Sequence, residues 1–309
     1  MDRMRSNWHW VLVTAIAPVA WGSNYFVTRE FLPAESPLWG AVIRALPAGI
    51  LLLALARQRP KGHWWWRSLV LGALNVGAFF ALVYVASQLL PSSTAATLMA
   101  TSAAVLLLFA WPLLGERPTI VAIAGTALGF AGVLVMFAGP GGSIDPFGVL
   151  ASLGAMLLSS TGFILAKRWG EGIPLLALTS WQLVAGGVLL VPFAIAIEGS
   201  IPAPDAPAVA AYAYTTLVAT ALAYVAWFAG LRHLAAGTVG LVGLLNPVAG
   251  VALGTLVAGE VFGPRKAIGT AMILAGVLLG RKTRQPLRQA PTHQDLTHRQ
   301  RQAAEVRDG

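Results

Sequence analysis

The side chains able to do chemistry in this 309-residue chain lie inside apolar runs, and they are amides, hydroxyls and aromatic rings rather than acids and bases. Trp21, Asn24, Tyr25 and Thr28 recur at spacings of three and four, which places them on one face of a helix. Tyr84 and Gln88 share a later run, and Thr94, Thr97 and Thr101 form a stripe in the next. Ser159, Ser160 and Thr161 mark another, followed by Trp181 and Gln182, then Tyr224, Trp227 and Phe228. Asn246–Pro247 falls near the middle of a late run. Arg44 is the one Lys or Arg well inside a run, clear of its ends. Together these groups can hydrogen-bond and stack against a small organic molecule. They cannot run acid–base chemistry on it. His9, His63, His233, His293 and His298 all fall at run ends, in loops or in the tail, and no Asp or Glu sits near the middle of a run. HExxH, CxxC, GxxxxGK[ST] and GxSxG patterns are absent from the sequence. An intramembrane hydrolase or transferase needs an acid, base, nucleophile or metal site, so no catalytic residue, metal or cofactor is expected.

Each candidate also has a plainer role. Ser and Thr in apolar helices commonly bond their own i−4 carbonyl or allow close packing. Trp and Tyr populate interfacial belts, a role open to Trp10 and Tyr25. An amide in hydrocarbon must face protein or water, because an unpaired one costs a few kcal/mol. Pro247 removes a backbone hydrogen bond near Gly243 and marks a kink, structural or hinge-like. A guanidinium at the depth of Arg44 costs about 2.5–3.5 kcal/mol on insertion scales. Snorkelling, bonds to carbonyls or a substrate carboxylate could offset that cost.

The elements that carry these residues are membrane spans. Hydrophobic residues make up 57% of the chain and charged residues 11%, against about 25% charged in a soluble domain. Lipid must therefore be the solvent for most of it. Ten apolar runs, near 9–29, 37–56, 67–88, 93–114, 118–138, 146–166, 174–197, 208–230, 237–258 and 263–280, are each long enough to cross a core of about 30 Å. The net charge of +9 sits in short loops and one tail, not on a polar domain, so it reads as topology rather than nucleic-acid binding. With the N-terminus inside, 17 Lys and Arg fall inside and Arg29, Arg265 and Lys266 fall outside. Both termini are expected to be cytoplasmic.

The chain repeats itself. Residues 115–136 and 259–280 align at an offset of 144, matching Gly115, Glu116, Gly125, Thr126, Ala127, Ala131, Gly132, Val133 and Leu134 with Gly259, Glu260, Gly269, Thr270, Ala271, Ala275, Gly276, Val277 and Leu278. At related offsets Phe26 falls on Phe163 and Arg44 on Gln182. Two copies of five helices must be inverted relative to each other, because five is odd. The reading is an all-α integral membrane protein of ten helices. It divides into a cytoplasmic N-terminus 1–8, a first repeat 9–138, a linker 139–145, a second repeat 146–280 and a disordered cytoplasmic tail 281–309. Glu116 and Glu260 sit at hairpin turns near the fifth and tenth helices, where they are expected to cap.

At these residues the chain resembles the EamA family of the drug/metabolite transporter superfamily. The resemblance rests on Trp21-Gly22-Ser23-Asn24, Ile43-Arg44-Ala45-Leu46, Asn246-Pro247 and the two Gly-Glu hairpins. It covers residues 10–280 and implies a carrier with a midplane site between the repeats. The first copy has Ser102-Ala103 where the second has Asn246-Pro247, so only the second has a proline to kink it. The expected function is export of small organic metabolites, such as amino acids or related carboxylates, by alternating access from a bacterial cytoplasm. Alternatives are a nucleotide-sugar or other anion carrier, or a multidrug efflux protein or lipid flippase. The expected site is Trp21, Asn24, Tyr25, Arg44, Tyr84, Gln88, Thr101, Ser160, Trp181, Gln182, Tyr224, Trp227 and Asn246, with Pro247 as hinge. The partners are a small-molecule substrate and the bilayer, in a monomer or homodimer, with no nucleic acid.

Overall fold

Proline and aspartate mark where the helices begin. Asp145 accepts hydrogen bonds from the Phe147 and Gly148 amides, and Asp205 from Ala208, each with a proline in the first helical turn. In the computed structural model of the protein, residues 2–90, 98–137, 145–257 and 263–280 are described. Thr94, Thr97, Glu260, most of the linker and the tail lie outside them, as do the side chains of Tyr25 and Gln88. All the regular structure among the described residues is helical. The elements are α1 (Asp2–Phe31), α2 (Pro37–Ala56), α3 (Trp64–Gly72, Ala73–Gly77 and Ala78–Leu89), α4 (Leu98–Leu114), α5 (Ile120–Phe137), α6 (Pro146–Trp169), α7 (Leu175–Glu198), α8 (Ala206–Thr216, Leu217–Leu222 and Ala223–His233), α9 (Ala236–Gly243 and Leu245–Leu256) and α10 (Pro264–Gly280).

Among the described residues six helices are long and apolar enough to cross a bilayer, and shorter apolar helices accompany them. The surface is apolar where a soluble protein's would be charged. Ile120, Leu150 and Ile197 are exposed, while Asn75, Ser160, Thr179 and Gln182 are fully buried. That inverted pattern suits a bundle whose outer face meets hydrocarbon and whose polar groups pair inside.

Helices α5 and α10 pack tightly because of two glycines. A Cβ on Gly132 would lie 2.7 Å from the Gly269 carbonyl, and one on Gly276 would lie 2.6 Å from the Gly125 carbonyl. Gly125 and Gly132 are the residues that align with Gly269 and Gly276, so the contact is reciprocal. Small residues of this kind let membrane helices approach closely.

Two breaks in helical regularity recur in both halves. The central pieces of α3 and α8, Ala73–Gly77 and Leu217–Leu222, are π-helical and begin 144 residues apart. A π-turn frees a carbonyl from the i−4 ladder and commonly marks a functional position. The second break lies in α4 and α9. Helix α9 is interrupted at Leu244, three residues before Pro247. Helix α4 is interrupted at Thr101 although it has no proline there. The two turns use the same bond, Thr101 N–H to the Leu98 carbonyl and Leu244 N–H to Leu241, both at 3.1 Å. The Thr101 hydroxyl also bonds the Leu98 carbonyl at 2.5 Å. A threonine thus accompanies the break in the first half, which a search for proline overlooks.

Candidate functional site

The elements α1, α2, α3, α4, α6, α8 and α9 meet around a cavity of about 70 Å³. Its polar groups come from Asn24, Arg44, Ser102, Ser159 and Asn246, and its walls include Trp21, Phe79, Phe163 and Trp227. Three rings form one aromatic wall. Trp21 lies 5.1 Å from Trp227 and 6.4 Å from Phe163, and Phe163 lies 5.4 Å from Trp227. Gly22, next to Trp21, allows α1 to rest on α9. A Cβ there would collide with the Asn246 carbonyl and come within 2.8 Å of the Ala249 side chain.

Arg44 is held by the α8 π-turn. Its Nε donates to Thr220 Oγ1 at 2.8 Å and an Nη to the Ala219 carbonyl at 3.3 Å. That carbonyl also accepts the Trp21 indole N–H at 3.0 Å. The guanidinium lies 4.0 Å from the centre of the Phe80 ring. The other half repeats the arrangement in neutral form. Gln182, which aligns with Arg44, accepts from Asn75 Nδ2 at 2.8 Å in the α3 π-turn, and the Asn75 carbonyl accepts the Tyr224 hydroxyl at 2.6 Å. The π-turns therefore anchor one polar side chain from α2 and one from α7.

Two buried polar atoms among the cavity-lining residues have no hydrogen-bond partner, the acceptor Asn24 Oδ1 and the donor Trp227 Nε1. Buried polar groups are nearly always paired. An orphaned donor and acceptor beside a guanidinium describe a place where a small polar ligand would complete the bonding. No Asp, Glu or His lines the cavity among the described residues.

The expected site residues divide by position. Trp21, Asn24, Arg44, Trp227, Asn246 and Pro247 line the central cavity. Tyr84 lines a smaller adjoining one together with Thr28, Asn24 and Arg44, and its hydroxyl bonds the Pro33 carbonyl at 2.6 Å. Tyr224 is fully buried behind Trp21, and Ser160 is buried with an unpartnered hydroxyl while its neighbour Ser159 faces the cavity. Thr101 makes the α4 turn, and Ser102 beside it faces the cavity. Gln182 serves the α3 π-turn rather than the cavity. Trp181 lies at one end of the bundle, against Trp64 and bonded to the Gln58 carbonyl. Asn75, Phe79 and Phe163 did not stand out in the sequence as site residues. Asn75 carries the same signal as Asn246, an amide within an apolar run, while Phe79 carries none.

One carboxylate clasps several elements at the end of the bundle where α4, α6 and α8 finish. Glu116 Oε1 lies 2.6 Å from Lys167 Nζ, and Glu116 Oε2 accepts from the Ala236 amide at 2.8 Å. Lys167 Nζ also donates to the Leu234 carbonyl at 2.6 Å. Glu116 thus caps α9, not the α5 that it precedes, and does so in trans. Trp10 stacks on His233 at the same end, ring centres 3.5 Å apart. At the opposite end Glu198 accepts from the Leu38 and Trp39 amides at 2.6 and 2.9 Å, capping α2 from the end of α7.

Apolar helices packed around an aromatic-walled cavity fit a multi-pass membrane transporter. Residues 8–138 and 146–280 each match the model of the EamA-like transporter family, and the chain belongs to that family. It is 34% identical to protein PecM of Dickeya dadantii over 268 residues, 85% of this chain and 89% of that one. It is 29% identical to YedA of Escherichia coli strain K12, described as an uncharacterized inner membrane transporter, over 84% of this chain and 87% of that one. It is also 28% identical to a probable terminal-alkyne amino-acid exporter of Streptantibioticus cattleyicolor, over 92% and 96%. A solved crystal structure with 19% identity superposes at a TM-score of 0.74, covering 88% of this chain and 96% of the other, which shows the shared fold.

Proposed function

We propose that the chain is a ten-helix carrier of two inverted five-helix repeats that exports small zwitterionic or carboxylate metabolites, amino acids among them, by alternating access. The observation that carries this reading is the central cavity with its orphaned Asn24 acceptor, its orphaned Trp227 donor and the Arg44 guanidinium. A carboxylate would sit near Arg44 and the indole N–H, an ammonium near the Asn24 oxygen, and an apolar side chain against the aromatic wall. One cation with no acid suits a net-neutral or singly charged solute. A nucleotide sugar would want several cations to meet its diphosphate, and a cationic drug would find no carboxylate. The relative described as an amino-acid exporter supports the same class.

The Lys and Arg distribution supports a bacterial inner-membrane placement with both termini inside. The Glu116–Lys167 clasp then closes the cytoplasmic end. Helix α4 lines the central cavity with Leu106 and a small cavity beside the clasp with Leu107, so that layer is the inner barrier. The adjoining cavity at Thr28 and Tyr84 then leads outward. Exchange in proteoliposomes against a panel of amino acids, their amides, nucleotide sugars and cationic drugs tests the function. Transport confined to nucleotide sugars or cations would overturn it. Single cysteines at Gly115 and Gly141 in this Cys-free chain should label from opposite sides, and labelling of both from outside would end the inverted topology.

A further inference from the structure

The end of the bundle where α3 starts and α6 finishes carries an aromatic and basic cluster that the cavity does not use. Arg67 sits among three indoles, its guanidinium 5.4 Å from the Trp64 ring centre, 5.7 Å from Trp66 and 5.3 Å from Trp169. Trp66 and Trp169 meet edge to face at 5.3 Å. Trp64 is buried against Trp181, whose indole N–H bonds the Gln58 carbonyl at 2.8 Å, so the loop 57–63 is tied down beside α7. That loop exposes Arg57, Arg59 and Lys61, and Arg168 is exposed beside Trp169. Glu171 is the acid that follows in sequence. Trp65 and Trp66 are 61% and 49% exposed in the first turn of a helix apolar enough to cross a bilayer.

The indoles offer Arg67 ring faces and no acceptor. Its Nε is closed off from solvent and has no hydrogen-bond partner, a costly state for a charged donor. A belt of interfacial tryptophans accounts for Trp65 and Trp66, but not for a guanidinium enclosed by indoles with that N–H unsatisfied. Near the end of a helix apolar enough to cross a bilayer, lipid headgroups supply an abundant charged acceptor, the phosphodiester. We propose that this cluster binds one anionic phospholipid. Arg67 takes the phosphate between Trp66 and Trp169, Arg57, Arg59, Lys61 and Arg168 select a net negative headgroup, and Trp65 lies along the glycerol and upper acyl region.

Native mass spectrometry of the full-length protein in detergent tests this, with phosphatidylglycerol, phosphatidylcholine and glycerol phosphate as probes. One phosphatidylglycerol should bind at least about fivefold tighter than phosphatidylcholine, the preference expected from one surface charge. Arg67→Gln should weaken phosphatidylglycerol and phosphatidylcholine alike by at least about fivefold, since both carry the phosphate, and Arg67→Lys, which keeps the charge but loses the fork, should weaken them less. Equal wild-type affinity for the two lipids would reduce the cluster to an aromatic belt and overturn the proposal, as would unchanged affinity for both lipids in folded Arg67→Gln. Competition by glycerol phosphate at equal concentration would assign the site to a soluble phosphate instead. If Arg67→Gln does not fold, Arg59→Gln with Lys61→Gln, both exposed, reads the same preference, and no loss there overturns it too.

Discussion

On the proposed orientation, breaking the Glu116–Lys167 clasp should open the inner end of the transporter. Glu116 makes a 2.6 Å ion pair and accepts the α9 amide at 2.8 Å, while Lys167 donates to the Leu234 carbonyl at 2.6 Å. Both side chains are 15% exposed, so the pair is screened less than a surface pair. Hydrogen bonds to charged groups contribute about 1.5–3 kcal/mol each, and desolvation of the pair offsets part of that. Glu116→Gln keeps an acceptor for Ala236 but loses the charge facing Lys167. A net loss of about 2 kcal/mol shifts the balance between closed and open inner ends roughly 30-fold. The assay is Thr238→Cys in this Cys-free chain, a residue of the small cavity beside the clasp, titrated with a charged thiol reagent from the cytoplasmic side of inverted vesicles. Labelling should accelerate about 30-fold in Glu116→Gln, and in Lys167→Met as well. The charge-swapped pair Glu116→Lys with Lys167→Glu should recover little of the slow rate, because it sets an ammonium against the Ala236 amide and a carboxylate against the Leu234 carbonyl. An unchanged rate in a variant that still melts like the parent would refute the clasp as a barrier.

Arg44→Gln should weaken a carboxylate substrate by about 30-fold, the loss of about 2 kcal/mol from one charge-assisted contact, while its amide analogue changes little. Stability should hardly move, since the lost bonds to Thr220 and Ala219 are offset by removing a charge from hydrocarbon. Isothermal binding of both ligands reads this, and equal losses would leave Arg44 only its π-turn role. Gly132→Ala should destabilise the protein by about 1–3 kcal/mol through overpacking against the Gly269 carbonyl, and Gly276→Ala should match it. A melting curve like the parent's would contradict the α5–α10 contact. With no Asp, Glu or His lining the cavity among the described residues, a pH gradient alone should not drive accumulation in voltage-clamped liposomes. Steady uphill uptake there would show a proton site elsewhere.

The cavity was legible in sequence where polarity contrasts with an apolar background. Asn24, Arg44 and Asn246 stand out because an amide or guanidinium in hydrocarbon needs a reason. Trp21 and Trp227 stand out because an indole deep in a span is not at an interface. Phe79 and Phe163 could not be assigned to the cavity that way, because a phenylalanine facing the cavity and one facing lipid read alike. The duplication at offset 144 was visible in the α5 and α10 glycines, but the π-turns were not, since Ala73–Gly77 and Leu217–Leu222 share no residue at aligned positions: Asn75 falls on Ala219 and Val76 on Thr220. Glu116 was legible as a cap at its turn, yet its real partners, Lys167 and Ala236, are far along the chain. Gln182 drew notice as a buried amide, and only its partner Asn75 explains it.

The central claim is that substrate occupies the cavity between Asn24, Arg44 and Trp227. Its most direct test is substrate protection of Asn24→Cys in the Cys-free chain, using the panel member that exchanges fastest in proteoliposomes. Reaction with a small thiol reagent should slow at least about tenfold at saturation, and half-protection should fall at the concentration that half-saturates exchange, as a single shared site requires. Undiminished labelling by a substrate that still saturates transport would place the binding site elsewhere.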